Sequence, residues 1–250
     1  ADMTLSLPQG RLDDRRLLLS SLDQWKRQLD ATEAIGGFSQ VESLAFDVLR
    51  RGVSDAFDLS KEDPRLIARY DTAPLLPKDR ISTEWKNLEH YADNAATLGK
   101  LLLMARRLCE RGAGFVTVTT SFVWDMHADK NNAPMTTGMD YVGRPFDHAV
   151  SALIEDIEAR GLRDKIMLVC CGEMGRTPKL NAKGGRDHWG GLAPLMIYGG
   201  GLNMGQVIGQ SSSNGGEPAS HPWTIPYLIA TIMHTRVDSG EARLLDSLPQ

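Results

Sequence analysis

The feature that most constrains the fold is a short apolar run that ends in a glycine and an acid. Residues 166–169 are Ile, Met, Leu and Val, and a continuous run of this kind is typical of a strand buried on both faces. After two cysteines, Gly172 ends the run and Glu173 follows. Ligands of open α/β sheets bind just outside the carboxyl ends of the strands. Glu173 therefore lies where a functional carboxylate is expected.

Two further loops carry acids and histidines. A glycine-rich loop over residues 184–191 contains Asp187 and His188, and a polar loop over residues 124–132 contains Asp125 and His127. The β-branched run at residues 115–120 predicts a strand that ends just before the polar loop. A helix over residues 145–161 separates it from the strand at 166–171, which predicts a βαβ unit with two parallel strands. Their carboxyl ends would share one sheet edge and bring the loops together.

The rest of the chain is mainly helical before residue 88 and mixed after it. A loop is expected at residues 71–79 and a helix start at 60–63. A further strand is expected at 193–198, with a short hairpin arm at 207–209. Amphipathic spacing predicts helices over residues 12–29, 41–49, 88–111 and 224–234. We expect one α/β domain over residues 1–250, with a helical segment at 1–87 and an α/β core at 88–250.

Composition excludes several classes of function. The chain has 250 residues and a net charge of −4, and its scattered basic residues argue against nucleic acid, which needs a concentrated basic face. No apolar run approaches the roughly 20 residues that span a bilayer. Three cysteines without framework spacing are not a disulfide scaffold. We interpret Cys109, Cys170 and Cys171 as small core residues and not as ligands.

The converging loops predict a site for a divalent metal, which would be zinc, manganese or calcium. Carboxylate and imidazole groups are common ligands of such cations. Arg176 would hold the anionic oxygens of a tetrahedral substrate in bidentate fashion, and Arg186 could do the same. Glu173 and Arg176 are the predicted catalytic residues. The predicted metal residues are Asp125, His127, Glu173, Asp187 and His188.

Each of these residues also has a structural interpretation. His127 could be a solvated surface histidine, and Glu173 could pair with Arg176 to brace the turn. Asp187 could bind the metal or support His188 from outside the ligand set. The two tryptophans near the loops, Trp124 and Trp189, are interpreted as packing residues. Three histidines on predicted helices are interpreted as structural, namely His90, His148 and His234, and the role of His221 is left open.

The motifs at these loops resemble the signatures of a known family. The matching segments are residues 124–127, 172–178 and 185–189. They are similar to a sulfatase-like bacterial domain-of-unknown-function family, number 1501, of the alkaline phosphatase superfamily. The resemblance implies an alkaline-phosphatase-like three-layer sandwich with a mostly parallel sheet, preceded by a helical segment. It also implies a two-metal site that binds a phosphate or sulfate ester, with a Ser, Thr or modified Cys as nucleophile.

The resemblance carries further expectations. Met174 occupies a position where active phosphatases of the superfamily have a histidine. The chain is similar to the carboxyl-terminal portion of longer family members, whose amino-terminal part carries the nucleophile. Family members are often exported with a twin-arginine signal, so a periplasmic or other extracytoplasmic location is expected.

Two main hypotheses follow. The first is a metal-dependent hydrolase-like protein that acts on a small-molecule or glycan ester of phosphate or sulfate. The alternative is a non-catalytic protein that binds an anion or a glycan at a degenerate metal site. A third, weaker hypothesis is a structural protein in which the site only stabilises the fold.

Overall fold

The protein is helix-rich and has four short strands in the part of the chain that the structure describes. The computed structural model describes residues 13, 17, 53–121 and 124–236. Its α-helices are α1 (Val53–Phe57), α2 (Pro64–Tyr70), α3 (Leu88–Glu110), α4 (Met135–Ala159) and α5 (Ile225–Arg236). Its strands are β1 (Met167–Cys171), β2 (Gly175–Arg176), β3 (His188–Trp189) and β4 (Leu195–Gly199). Between residue 53 and the start of α3, the structure has three short 3-10 turns, at Leu59–Lys61, Ala73–Leu75 and Lys78–Arg80.

The strands form two small antiparallel sheets. β1 pairs with β4 from Met167 opposite Gly199 to Cys171 opposite Leu195, and β2 pairs with β3. The predicted three-layer sandwich with a mostly parallel sheet is therefore wrong. The segment between β1 and β4 turns back on itself through the β2–β3 hairpin, so the chain returns antiparallel without the crossover that parallel pairing requires.

The predicted βαβ unit fails because residues 115–120 form no strand. Their side chains alternate between exposed and half-buried positions, and Phe115 is 82% exposed. The alternation of side chains that favoured a strand is present, but no other segment among the described residues pairs with residues 115–120. β-Propensity reports how well side chains fit a pleated surface and does not supply a neighbouring strand.

Most of the helices and strands expected from periodicity are confirmed. The helix predicted at 88–111 is α3, the helix predicted at 224–234 is α5, and the strands predicted at 166–171 and 193–198 are β1 and β4. α4 begins ten residues before the predicted start, so Pro145 lies inside the helix and not at its first turn. Pro145 cannot donate a helical hydrogen bond, but it is buried in the packed face of α4. The helices predicted at 12–29 and 41–49 lie outside the described residues, except that Asp13 and Leu17 are helical.

Three local predictions need correction. Ser60 lies in a 3-10 turn, and the cap of α2 is Asp63, whose carboxylate accepts a hydrogen bond from the Arg65 amide at 2.8 Å. The loop at 71–79 contains two 3-10 turns and buries Leu76. Residues 207–209 form no strand with any other described segment; the nearby pairing is a single bridge between residues 211 and 218.

The described residues fall into two compact units. One contains the described residues up to Ala68 together with Leu103–Val118, and the other contains Arg69–Leu102 together with the described residues from Thr119 onward. The predicted division of the chain at residue 87 stays a prediction. Within the described parts, every helix is too short or too polar to cross a membrane.

The core of the second unit anchors one of the predicted site loops. Met126 and Ala133 are 2% and 0% exposed and belong to a hydrophobic cluster with the rings of Tyr91 and Tyr141. The Tyr91 hydroxyl also accepts a hydrogen bond from the Ala133 amide at 3.2 Å. Gly138 of α4 makes room for Met126, because a Cβ at Gly138 would lie 2.7 Å from the Met126 side chain. Met126 and Ala133, which flank the loop that carries His127, are thus held by the hydrophobic core.

Candidate metal centre

The β2–β3 hairpin places His188 opposite Arg176. These two residues are direct partners in the antiparallel register, so their side chains project from the same face of the hairpin. Next to the ladder, the Thr177 amide donates to the Asp187 carbonyl at 2.8 Å, and the Asp187 amide donates to the Thr177 side-chain hydroxyl at 3.1 Å. The position of His188 is therefore set by backbone pairing on both sides.

Three donor atoms from two loops converge on one point. The Nε2 atoms of His127 and His188 are 3.2 Å apart, and Asp125 Oδ1 lies 3.2 Å from His188 Nε2 and 3.6 Å from His127 Nε2. We call Asp125, His127 and His188 the metal triad. Their side chains are 16%, 21% and 51% exposed, so the site is open to solvent on the side of His188.

The spacing of the metal triad fits one face of a tetrahedron. Three ligand atoms held about 2.0–2.1 Å from a tetrahedral zinc ion lie about 3.3–3.4 Å from one another, and the observed edges are 3.2, 3.2 and 3.6 Å. A cation equidistant from the three atoms would lie about 0.7 Å from their plane, as in an ideal tetrahedral site. The fourth vertex would face away from the protein ligands. The residues present therefore suit a divalent cation.

Asp187 supports the metal triad from outside it. Its Oδ1 lies 3.3 Å from His127 Nδ1, on the side of the ring opposite the converging Nε2 atom. A carboxylate at this position fixes the tautomer of a metal-binding histidine and leaves the Nε2 lone pair for the cation. The structure thus places Asp187 beside His127, whereas the sequence had suggested that it supports His188.

Arg176 brings positive charge to the edge of the metal triad. Its NH2 atom lies 2.5 Å from Asp125 Oδ1. Its NH1 atom is buried and has no hydrogen-bond partner among the described residues. An unmet buried N–H costs about 1–3 kcal/mol, so this guanidinium retains the capacity to donate to an anionic oxygen.

Two other predicted site residues lie elsewhere. Glu173 is exposed in the turn before β2 and does not belong to the group of convergent donors. The Arg186 guanidinium donates to the backbone carbonyls of Thr177 and Pro178 at 2.5 and 2.6 Å. These hydrogen bonds connect the two arms of the hairpin and occupy the NH1 atom of Arg186.

The loop after His127 is held by internal hydrogen bonds. Asp129 Oδ1 accepts from the amides of Asn131 and Asn132, both at 2.8 Å. Burial would raise the pKa of Asp129, but these amide donors stabilise the carboxylate and its pKa lies below the ordinary value. Ala128 has a φ of 56°, a left-handed conformation that residues other than glycine rarely adopt. Such strain is kept only where surrounding contacts enforce it.

Sequence reasoning missed Asn181. Its side chain donates to the His127 carbonyl at 2.9 Å and accepts from the Gly185 amide at 2.9 Å. The available signal was an asparagine shortly before a glycine pair, which is typical of a turn closed by the asparagine side chain. That signal predicts a local turn and gives no sign of the contact with His127, which is 54 residues away.

The remaining candidates have structural surroundings. The Trp124 ring packs edge-on against Phe146 at 5.6 Å, and Trp189 donates to the Gly216 carbonyl at 2.6 Å. Burial, with a smaller contribution from Cys171, raises the pKa of Cys170 to about 11, while Cys171 itself is exposed and Cys109 is half-buried. Three histidines lie on helices as predicted, namely His90, His148 and His234. His221 contacts the Tyr227 hydroxyl at 2.9 Å.

The fold and the metal triad together define a helix-rich protein with a candidate site for one divalent cation. The chain belongs to the family DUF1501, described as a protein of unknown function, whose sequence signature matches residues 2–240. No curated protein and no solved structure gives a significant match. The family resemblance expected from the motifs is thereby confirmed at the level of this family.

Proposed function

We propose that the chain is a zinc-dependent, hydrolase-like protein that acts on a phosphate or sulfate ester. The observation that carries the proposal is the triangle formed by Asp125 Oδ1 and the Nε2 atoms of His127 and His188, with edges of 3.2–3.6 Å. Two imidazoles and one carboxylate form a ligand set used by catalytic zinc, which keeps its fourth position open.

The donor set favours zinc over the other predicted cations. Calcium takes six to eight oxygen ligands at 2.3–2.6 Å, and two of the three donors here are nitrogen atoms. Manganese is better suited to carboxylate and water ligands, whereas imidazole suits zinc. When bound, zinc supplies Lewis-acid polarisation and lowers the pKa of a coordinated water to about 7.

The protein groups around the metal triad suit an anionic ester. Arg176 would donate NH1 to a non-bridging oxygen, which would satisfy the buried N–H that has no partner among the described residues. Asp187 would hold His127 in the tautomer that directs Nε2 towards the cation. A neutral ester would gain less from the guanidinium, because it lacks the negative charge that attracts the cation and the paired anionic oxygens that it can bind in bidentate fashion.

The relationship to sulfatase-like proteins of the alkaline phosphatase superfamily is part of the same proposal. It is supported by the motifs at residues 124–127, 172–178 and 185–189. The antiparallel sheets of the described residues lend it no support. The proposed hydrolase activity therefore rests on the chemistry of the site, which can occur on unrelated folds. The proposed superfamily relationship rests on the motifs alone.

A non-catalytic anion- or glycan-binding protein is the second candidate. It is favoured by the environment of Thr177, the hydroxyl residue that follows Arg176. The Thr177 hydroxyl donates to the Lys179 carbonyl at 2.9 Å and accepts from the Asp187 amide at 3.1 Å. It is thus occupied by structural hydrogen bonds and is poorly placed to act as a nucleophile.

One experiment tests the proposal in two stages. The protein is purified without chelators, and its metal content is measured by elemental mass spectrometry and its zinc affinity by titration. About one zinc per chain is expected, followed by turnover of aryl phosphates or aryl sulfates that falls sharply in Arg176→Gln. Absence of zinc binding at micromolar concentrations would refute the proposal. Zinc binding with anion affinity but no turnover would favour the second candidate.

A further inference from the structure

Asn181 connects the two loops that carry the metal triad. Its Nδ2 donates to the His127 carbonyl at 2.9 Å. Its Oδ1 accepts hydrogen bonds from the backbone amides of Lys183 and Gly185 at 3.1 and 2.9 Å. The backbone amide of Asn181 donates to the Gly185 carbonyl at 2.8 Å. One side chain therefore closes the turn that leads to His188 and holds the backbone of His127.

The same junction has a close backbone contact. A Cβ at Gly185 would lie 2.2 Å from both the carbonyl carbon and the carbonyl oxygen of His127, a separation that real side chains do not adopt. Beside it, the Arg186 amide donates to the Met126 carbonyl at 2.8 Å. The chain can bring residues 185 and 127 this close only because residue 185 has no side chain.

This junction sets the geometry of the metal triad. His127 follows Met126 directly, and His188 follows Arg186 by two residues, so the two imidazoles extend from the two sides of the junction. Their Nε2 atoms are 3.2 Å apart. Metal–ligand distances in real sites stay within about 0.2 Å of ideal values, so a small shift of one loop against the other would weaken a site for zinc.

We propose that Asn181 is a positioning residue of the metal centre, which acts through the backbone contact between residues 127 and 185. The inference rests on the proposed function, since it requires that the metal triad binds a cation. Asn181 itself touches no ligand; its role is to hold His127 at the correct distance from His188.

The first test is Asn181→Asp. The aspartate keeps an acceptor for the amides of residues 183 and 185 but cannot donate to the His127 carbonyl. The matched control is Asn214→Asp, because Asn214 also accepts from a nearby amide, that of Gly216 at 2.9 Å, and lies in an exposed loop outside the metal triad. Zinc affinity is measured by competition with a chromophoric chelator, and the melting temperature is measured without metal.

We expect Asn181→Asp to weaken zinc binding by about tenfold or more, as substitutions outside the ligand set do in known sites. Asn214→Asp should retain the wild-type affinity within about twofold, a range below the tenfold scale of such substitutions. A purely structural role for Asn181 predicts a lower metal-free melting temperature with unchanged zinc affinity, and that result would overturn the inference. Failure of the wild-type protein to bind zinc would instead refute the proposed function.

A second pair of variants tests the junction without changing a polar group. Gly185→Ala introduces the Cβ that would overlap the His127 backbone, whereas Gly190→Ala adds a Cβ with no atom within 4 Å. Gly185→Ala should weaken zinc binding and shift the visible absorption bands of the cobalt-substituted protein, and Gly190→Ala should do neither. Wild-type affinity and spectrum in Gly185→Ala would contradict the inference even if Asn181→Asp failed to fold.

Discussion

Two clusters of charged side chains in this protein differ in what they leave unsatisfied. The first, which we call the arginine cluster, combines cations and carboxylates in residues Glu62, Arg106, Arg107 and Glu110. The second is the metal triad, which combines one carboxylate with two imidazoles. Arg106 and Arg107 lie 2.7 and 2.8 Å from Glu62 and are 1% and 8% exposed, whereas the triad is partly open to solvent.

The difference lies in the kind of atom that converges. In the arginine cluster N–H donors meet acceptors, and the Arg107 guanidinium also donates to the backbone carbonyls of residues 55, 56 and 58. In the metal triad three atoms with lone pairs meet one another. The first arrangement neutralises itself and stabilises the fold. The second has a cationic neighbour, the Arg176 guanidinium at Asp125 Oδ1, and its three convergent atoms could together hold a metal ion, which is why it is a candidate for function.

The largest effect on stability is expected from the arginine cluster. Glu62→Ala removes the carboxylate that two buried guanidinium groups share, and breaking a buried ion pair costs about 3–5 kcal/mol. We expect the free energy of unfolding of the metal-free protein to fall by this amount in urea denaturation, while zinc affinity is unchanged. Lys61→Ala, which removes only an exposed ion pair with Asp55, should have little effect.

This first prediction separates the clusters by role. If Glu62→Ala reduced zinc affinity as much as it reduced stability, the arginine cluster would be coupled to the site and the contrast between the clusters would fail. If the variant were as stable as wild type, the two guanidinium groups would not be left as uncompensated buried charges, and the description of a self-neutralising buried cluster would be wrong.

The second prediction concerns His188. His188→Ala removes one of three ligand atoms, so zinc affinity should fall by more than about 100-fold, the upper limit for residues outside a ligand set. The rise in melting temperature that zinc gives the wild-type protein should disappear with it. His221→Ala is the control, since His221 pairs with the Tyr227 hydroxyl outside the triad. Equal zinc binding by His188→Ala and wild type would exclude His188 as a ligand.

Sequence patterns predicted local structure better than pairing between segments. α3 and α5 follow from helical spacing of apolar residues, and β1 follows from a short apolar run. The prediction of a parallel sheet was wrong because residues 115–120 have strand-like composition but no partner strand among the described residues. Pairing depends on contacts between distant segments, which alternation within one segment does not encode.

The candidate site was predicted in part, and for an incomplete reason. Asp125, His127 and His188 do come together, but through the β2–β3 hairpin and the contact at Gly185, and not through parallel strand ends. Glu173 was assigned from its position after β1, and the turn leaves it exposed. Asn181 was missed because a hydrogen bond across 54 residues leaves no local pattern.

A third prediction tests whether the thiols take part in metal binding. Burial raises the pKa of Cys170 from 9.0 to about 11, so at pH 9 the folded protein should hold about 50-fold less Cys170 thiolate than the unfolded chain. Because a raised pKa keeps the thiol protonated, alkylation by iodoacetamide should be slow at pH 9 and accelerate towards pH 11. Peptide mapping gives the rate at Cys170, with urea-unfolded protein as the reference. Protection by added zinc would show that a thiol belongs to the site after all.

The fourth prediction distinguishes ligation from support at Asp187. Asp187→Asn keeps the shape of the side chain and loses the charge that faces His127 Nδ1 at 3.3 Å. Zinc stoichiometry should remain near one per chain, while affinity should fall by about tenfold, the lower end of the range for supporting carboxylates because Asp187 is 60% exposed. A complete loss of zinc would instead make Asp187 a ligand.

The smallest effect on zinc affinity is expected at Glu173. At this residue the role predicted from the sequence and the position in the structure differ most. Glu173 directly follows Gly172 after β1, but its exposed side chain lies outside the group of convergent donors. Because a ligand must come within about 2 Å of the cation, Glu173→Gln should leave zinc affinity within about twofold of wild type, well short of the tenfold loss typical of supporting residues. The zinc affinities of Glu173→Gln and Asp125→Asn, which removes the carboxylate of the triad, are compared by calorimetric titration.

If Glu173→Gln lost zinc as fully as Asp125→Asn, the turn before β2 would have to close over the triad when the cation binds. The open fourth position would then belong to Glu173 and not to a substrate.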